Sequence, residues 1–323
     1  MSNTHHQLAR FAEHIFWLAR YVERAENLAR ILDVNESFTL DRRGGPEWLP
    51  VLQLNSDEAR FLEGHKTVTA AAVIWFYVLD IENPTSITFS IRAARENARA
   101  LRHLISTEMW LQLNVFYNEL RGLKQRDLGL SNLSRLCGRI KEGCQAHTGI
   151  TEGTLYRDEV WCFHQLGKYM ERADQTSRLL DITYHRLMNA ELTEGSPPDV
   201  SQWNALLRSV AGYQAYRRTH PRGLSPESIA DFLIYDRAFP RSMGSCIAQV
   251  VAQSQRLRET HGLAVSRAMT GQLRRLERRT TRQGRRRQRM PPQKLHEFVD
   301  AFQVDLIAMT REMARAYFLT EVE

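Results

Sequence analysis

The chain has 323 residues, long enough for one large core or two modest ones. Its 17 glycines and 10 prolines are few against average usage. The formal net charge of +7 is not a property of the whole chain. Residues 274–289, RRLERRTTRQGRRRQR, hold nine arginines and one glutamate, a balance of +8, which leaves 7 − 8 = −1 for the remainder.

At the N-terminus, charged residues interrupt every apolar run, so no signal peptide is expected. Residues 20–33, RYVERAENLARILD, read as an amphipathic helix. At about 100° per residue, Trp17, Leu18, Tyr21, Val22, Ala25, Leu28, Ile31 and Leu32 gather on one face. Glu23, Glu26 and Arg30 fall opposite, with Glu26 and Arg30 as an i, i+4 pair. Arg20 and Arg24 lie on the border, close enough to the apolar stripe to require a carboxylate or bound anion.

The longest apolar run, Ala70 to Leu79, is half the length a bilayer requires and reads as a buried helix. No membrane association is expected. From Thr85 to Ser196 there is no proline, and a stretch that long and that rich in Leu, Ala, Arg and Glu favours helix. The segment His147 to Glu159, HTGITEGTLYRDE, reads as a glycine-containing loop. Thr154 is then the N-cap of the following helix, with Asp158 and Glu159 in its first turns. Such a helix start can also hold a phosphate or carboxylate, although no GxxxxGK[ST] sequence is present.

Cys137, Cys144, Cys162 and Cys246 form no dense framework, and a reduced cytoplasmic setting is the expectation. Cys137, Cys144 and His147 are spaced C-x6-C-x2-H, which matches no usual zinc pattern. Neither metal nor cofactor is expected. After the arginine segment, Pro291 and Pro292 mark the place where a helix should stop.

The chain repeats itself. At an offset of 148, Leu18, Tyr21, Glu23, Arg24, Ala25, Arg30, Leu32 and Asp33 meet Leu166, Tyr169, Glu171, Arg172, Ala173, Arg178, Leu180 and Asp181. At 156, Phe76, Asp80, Pro84, Ser86, Ile91, Leu101 and Arg102 meet Phe232, Asp236, Pro240, Ser242, Ile247, Leu257 and Arg258. Trp48 and Leu52 meet Trp203 and Leu207 at 155. Offsets that drift so little while order is preserved imply duplication of a unit of roughly 150 residues. No period-2 alternation calls for a sheet. The expected fold is all-α: two tandem, sequence-related helical bundles, residues 1–150 and 151–323, packed together.

Residues 16–34 (FWLARYVERAENLARILDV), 91–102 (IRAARENARALR) and 149–174 (GITEGTLYRDEVWCFHQLGKYMERAD) together resemble the alpha-E family, over nearly the whole chain from about Ala9. The resemblance implies an all-helical protein. It also implies a partner of a circularly permuted ATP-grasp ligase, alongside transglutaminase-like proteins, in peptide or amide-bond modification. Carried over, the family pattern falls on Arg20, Tyr21, Glu23, Arg24, Ala25 and Glu26, then on Arg92, Arg95, Glu96, Asn97 and Arg99. In the second half it falls on Gly149, Gly153, Thr154, Arg157, Trp161, Glu171, Arg172 and Asp174. Lys168 stands where the family more often has arginine, and the segment 274–289 lies outside the pattern.

The residues themselves leave three readings open. The Glu-Arg helices shape a peptide or partner site or clamp the two halves together. Alternatively, Glu23 and Glu171 act as acid/base groups beside arginines that hold an anionic substrate. In the third, residues 274–289 bind nucleic acid by counterion release, although no interleaved aromatics favour single-strand stacking. A basic solvated helix leading into a loop, or docking to an acidic protein surface, is the other use of that segment. Arg92, Arg95, Glu96 and Arg99 share one helix face, either an anion-binding face or a salt-bridged surface.

Overall fold

The computed structural model describes residues 2–39, 48–194, 200–221, 223–281 and 291–318; of these, the side chains of 2–8, 37–39, 185–194 and 292 are not described. Among the described residues there are fourteen α-helices and no strand. In chain order they are α1 (Ser2–Thr39), α2 (Leu49–Leu54), α3 (Glu58–Gly64), α4 (Ala70–Val78), α5 (Ile87–Ala100), α6 (Thr107–Arg121) and α7 (Leu130–Thr154). Then follow α8 (Glu159–Glu194), α9 (Val200–Ser209), α10 (Tyr213–Thr219), α11 (Pro226–Tyr235), α12 (Met243–Glu259), α13 (Arg267–Thr280) and α14 (Pro292–Met313). A 3-10 turn precedes α7, and α14 runs into a π-helical turn at Ala314–Phe318.

Six of the helices begin where a serine or threonine caps them. The side chains of Thr69, Ser86, Ser106, Ser225, Ser242 and Ser266 each accept a hydrogen bond from an amide in the first turn of α4, α5, α6, α11, α12 and α13 respectively. The apolar run at 70–79 is the buried α4, with Val73, Ile74, Phe76, Tyr77 and Val78 in the core. Pro292 occupies the first turn of α14, so the proline pair opens a helix instead of only stopping one, because proline lacks an amide hydrogen that the first turn would leave unpaired anyway.

α1 and α8, the two longest helices at 38 and 36 residues, pack along one another. α1 also packs on α5 and α7, and α8 on α12 and α14; α6 bridges α5 and α7, and α13 bridges α12 and α14. One connected apolar core runs through all of these elements. The α1–α8 contact is tight at Gly167, where an added Cβ would lie 2.2 Å from the Phe16 carbonyl oxygen. Gly167→Ala is therefore expected to force the two helices apart and destabilise the protein by about 1–3 kcal/mol. Thermal unfolding measures this; an unchanged melting temperature would mean that the approach is looser than described.

Local geometries recur at the sequence offsets noted above. After α2, Ser56 takes a left-handed φ of 57° and Asp57 N–H donates to Leu52 O at 2.9 Å. After α9, Ala211 has φ 55° and Gly212 N–H donates to Leu207 O at 2.7 Å. His65 stacks on Phe61 at 4.4 Å and His220 on Tyr216 at 4.4 Å, with Phe76 and Phe232 edge-on at 5.2 and 5.4 Å. The Ser86 and Ser242 hydroxyls donate to Asp80 O and Asp236 O. The position 150/151 lies inside α7, and the chain turns towards α8 only at 155–158.

Candidate functional site

The seam between α1 and α8 collects Arg20, Glu23 and Arg24 of the first repeated segment and Glu171 and Arg172 of the second. The Glu171 carboxylate accepts from Arg20 Nε at 2.7 Å, from Arg24 Nε at 2.8 Å and from Arg24 Nη2 at 3.1 Å. In the reciprocal pair, Glu23 accepts from Arg172 Nε at 2.8 Å and Nη2 at 2.7 Å, and from Arg241 Nη1 at 2.7 Å. Both arginine–glutamate contacts, Arg24 to Glu171 and Arg172 to Glu23, are two-pronged, the geometry that fits a planar guanidinium to a carboxylate.

Glu23 and Glu26 are each only 3% exposed, which corrects the helical wheel's placement of Glu23, Glu26 and Arg30 on a face opposite the core. Other helices surround α1, so its polar stripe meets a second polar stripe where an isolated helix would meet water. Glu26 accepts from Arg30 Nη2 at 2.6 Å and Arg241 Nη2 at 2.8 Å. Arg20 and Arg24 do find the carboxylate that their border position demands.

Arg241 is the member of this seam that wheel analysis of one helix missed. It sits in the turn before α12, donates to Asn27 Oδ1 at 2.7 Å, and its carbonyl accepts from Thr176 at 2.9 Å. The repeat contains a signal for it: Arg241 aligns with Thr85 at offset 156, a charge without a counterpart.

The electrostatics follow from the pairing. Burial by itself would raise the Glu171 carboxyl, but Arg24 and Arg20 outweigh it and hold the pKa down to about 2. Burial likewise opposes ionisation of Glu23, and Arg172 and Arg241 overcome it, leaving the pKa well below the usual carboxylate range. Carboxylates held in this way stay ionised at neutral pH, with no proton to give and little tendency to take one.

The other expected site residues lie elsewhere. Asp174 pairs with Arg178 along α8 at 3.0 Å. Arg95 and Arg99 pair with Glu96 at 2.5 and 3.2 Å, while Arg92 donates to Ile81 O at 3.3 Å, so this face of α5 is salt-bridged within itself. Thr154 is not an N-cap: it is the last residue of α7, and its hydroxyl donates back to Ile150 O at 2.8 Å. The expected loop from His147 is helix as far as Thr154, because Gly149 and Gly153 are accommodated in the helix without strain. Asp158 caps α8 instead, accepting from Val160 N–H at 2.9 Å. Arg157 stacks on Trp161 at 3.4 Å and donates to Glu152 O at 2.7 Å.

Lys168, the departure from the family pattern, is buried and reaches Glu152 at 3.3 Å; burial and then Arg172 lower its pKa. Cys137, Cys144 and His147 all face the core, where burial pushes the Cys137 thiol up to about 12 and holds His147 down to about 4. Among the described residues, Asp181, His296 and Asp300 are the group close enough for a metal. His296 Nδ1 already lies 2.9 Å from Asp181 and Nε2 3.5 Å from Asp300, an ion-pair arrangement that links α14 to α8. Of the arginine segment, residues 274–280 belong to α13, where Arg279 pairs with Asp305 at 2.7 Å; residues 282–289 lie outside the described residues. No helix among the described residues is long and apolar enough to cross a membrane.

Comparison with known proteins agrees with this picture of Glu-Arg pairs on helices. The profile of the Alpha-E family, described as a predicted alpha-helical domain with a conserved ER motif, matches residues 8–318. Uncharacterized proteins of Mycobacterium tuberculosis and Mycobacterium bovis are each 24% identical over 271 residues, covering 76% of this chain and 28% of the relative. The chain thus spans little more than a quarter of the length of these curated relatives. No solved structure matches it. With its Glu-Arg pairs at 23–24 and 171–172, each on a long central helix, and a profile match over almost its full length, the chain belongs to the Alpha-E family.

Proposed function

We propose that this chain is an accessory or co-catalytic partner of an ATP-grasp-type ligase in peptide or amide-bond modification, and that its Glu-Arg helices are a rigid clamp shaping the partner surface. The observation that carries this reading is the saturation of both repeated glutamates. Glu23 and Glu171 each accept from two arginines in the interior, which leaves neither available for acid/base work on a substrate. The relatives add support. In them the matching region is 28% of a longer polypeptide, an arrangement that suits a module working beside other parts.

The clamp reading goes with a tandem duplication of about 150 residues, in halves close to 1–150 and 151–323. The paired left-handed residues Ser56 and Ala211, the paired histidine stacks, and the matching contacts of α1 and α8 support it. Similar halves related by an approximate twofold make each Glu-Arg pair meet its copy in reverse.

The test is ATP-dependent amide formation, assayed with this protein alone, with the ATP-grasp ligase encoded nearest to it, and with both. Turnover that requires both is expected. Turnover by this protein alone, lost in Glu23→Gln and Glu171→Gln variants that still fold, would favour an enzyme in its own right and sink the partner reading.

A further inference from the structure

We propose that the outward face of α6 docks an amphipathic, acidic helix of a partner protein; this rests on the reading of the chain as a partner module. Leu111 and Val115 lie one turn apart on this face and are 51% and 54% exposed. They border a cleft of about 310 Å³ that α6 forms with α7 at Gly143. The Gln112 side chain in that cleft donates to Gly143 O at 2.8 Å, while its buried Oε1 accepts from no described residue. A groove between two helices with two apolar anchors at i and i+4 spacing is the shape that a third, amphipathic helix fills.

The charge on both sides of the apolar stripe sets the partner's sign. Towards α5, guanidinium groups and rings alternate: Arg102 over Trp110 at 5.1 Å, Arg95 between Trp110 and Tyr117 at 5.4 Å from each, and Arg121 over Tyr117 at 5.8 Å. Of these, Arg95 is already bound to Glu96 at 2.5 Å and to Asn114 at 2.8 Å. Arg102 and Arg121 are exposed and pair with no carboxylate among the described residues. Towards α7, Arg135 lines a second cleft of about 500 Å³ and donates to Asn132 at 2.9 Å; of the acids there, Glu119, which lines both clefts, pairs with Arg139 at 3.7 Å, and Asp127 accepts from the Lys124 amide at 2.8 Å. Glu108, the other acid beside the stripe, sits in the first turn of α6, where the helix dipole favours it.

An apolar stripe with cations on both flanks complements a helix with leucine-type anchors and carboxylates on both flanks. A nucleic acid fits less well, because the aromatic faces that would stack on bases already carry guanidinium groups.

Two probes test this on the full chain. One is a fluorescein-labelled 18-residue helical peptide with leucines at i, i+4, i+7 and i+11 and glutamates on both flanks, and the other is the intact neighbouring ATP-grasp ligase. Leu111→Asp/Val115→Asp is expected to weaken binding by about tenfold or more. Arg102→Glu/Arg121→Glu should weaken the glutamate peptide while improving binding of the same peptide with lysine flanks. Circular dichroism melts confirm that both variants remain folded.

Loss of binding in both variants by every probe that binds the wild-type protein supports the docking face. It is overturned if wild-type protein binds neither probe, if both variants bind as wild type does, or if only an RNA oligonucleotide responds to the arginine reversals. Ligase binding that ignores both variants overturns the docking face and leaves the partner reading standing. Peptide binding that obeys the variants, without any ligase association, does the reverse.

Discussion

Replacing Glu23 by alanine is expected to cost about 3–5 kcal/mol of stability, because it leaves two buried guanidinium groups facing each other without their shared carboxylate. Arg172 and Arg241 both approach Glu23 at 2.7 Å, and Glu23 is 3% exposed, so water cannot take its place without opening the seam. For a chain of this size that cost corresponds to a melting temperature lower by roughly 4–8 °C. Calorimetry of Glu23→Ala, Arg172→Ala and the double variant isolates the pair: the double variant should lose much less than the sum of the singles. If Glu23→Ala melted with wild type, the clamp would be a description of contacts without energetic weight.

Acid should open the same seam. The Glu171 carboxyl has its pKa lowered from 4.5 to about 2 in the folded protein, so its contribution is complete above the unfolded value and is lost as pH falls from about 4.5 towards 2. That difference corresponds to about 3 kcal/mol. Glu23 is depressed for the same reason and adds to the loss in the same acidic window. Melting temperatures measured from pH 7 down to pH 3 should be flat at first and then drop below about pH 5. In Glu171→Gln the starting value is lower and the drop shallower, since one of the protons responsible is gone. An acid transition as steep in Glu171→Gln as in wild type would place its origin in other carboxylates.

Helix and burial were legible in the residues because both are local or periodic. The proline-free stretch from 85 to 196 and the apolar stripe of residues 17–32 are each read within the segment itself, and helices occupy both. The failures share one cause. Thr154 and the two glycines near it look like the start of a helix, yet α7 simply continues through them, because a lone glycine costs a helix only about 1 kcal/mol and packing outweighs it. The wheel placed Glu23, Glu26 and Arg30 opposite the core because it takes the solvent side of a helix to be its polar side. That assumption fails for a helix enclosed by others, where the second polar surface belongs to a segment about 150 residues away.

Arg241 makes the distinction concrete. Its sequence neighbourhood, a proline turn followed by a serine cap, specifies a turn and the start of α12 and nothing about Glu23, 218 residues distant. The amino-acid sequence by itself determined the helical class, the buried apolar run at 70–79 and the twice-written Glu-Arg segment, since these depend on side-chain pattern within a few residues. Only the tertiary structure decided that the two segments face each other as buried, reciprocal ion pairs, and that Arg241 joins them. Long-range pairing depends on how whole helices pack, and a carboxylate chooses its guanidinium by distance in space.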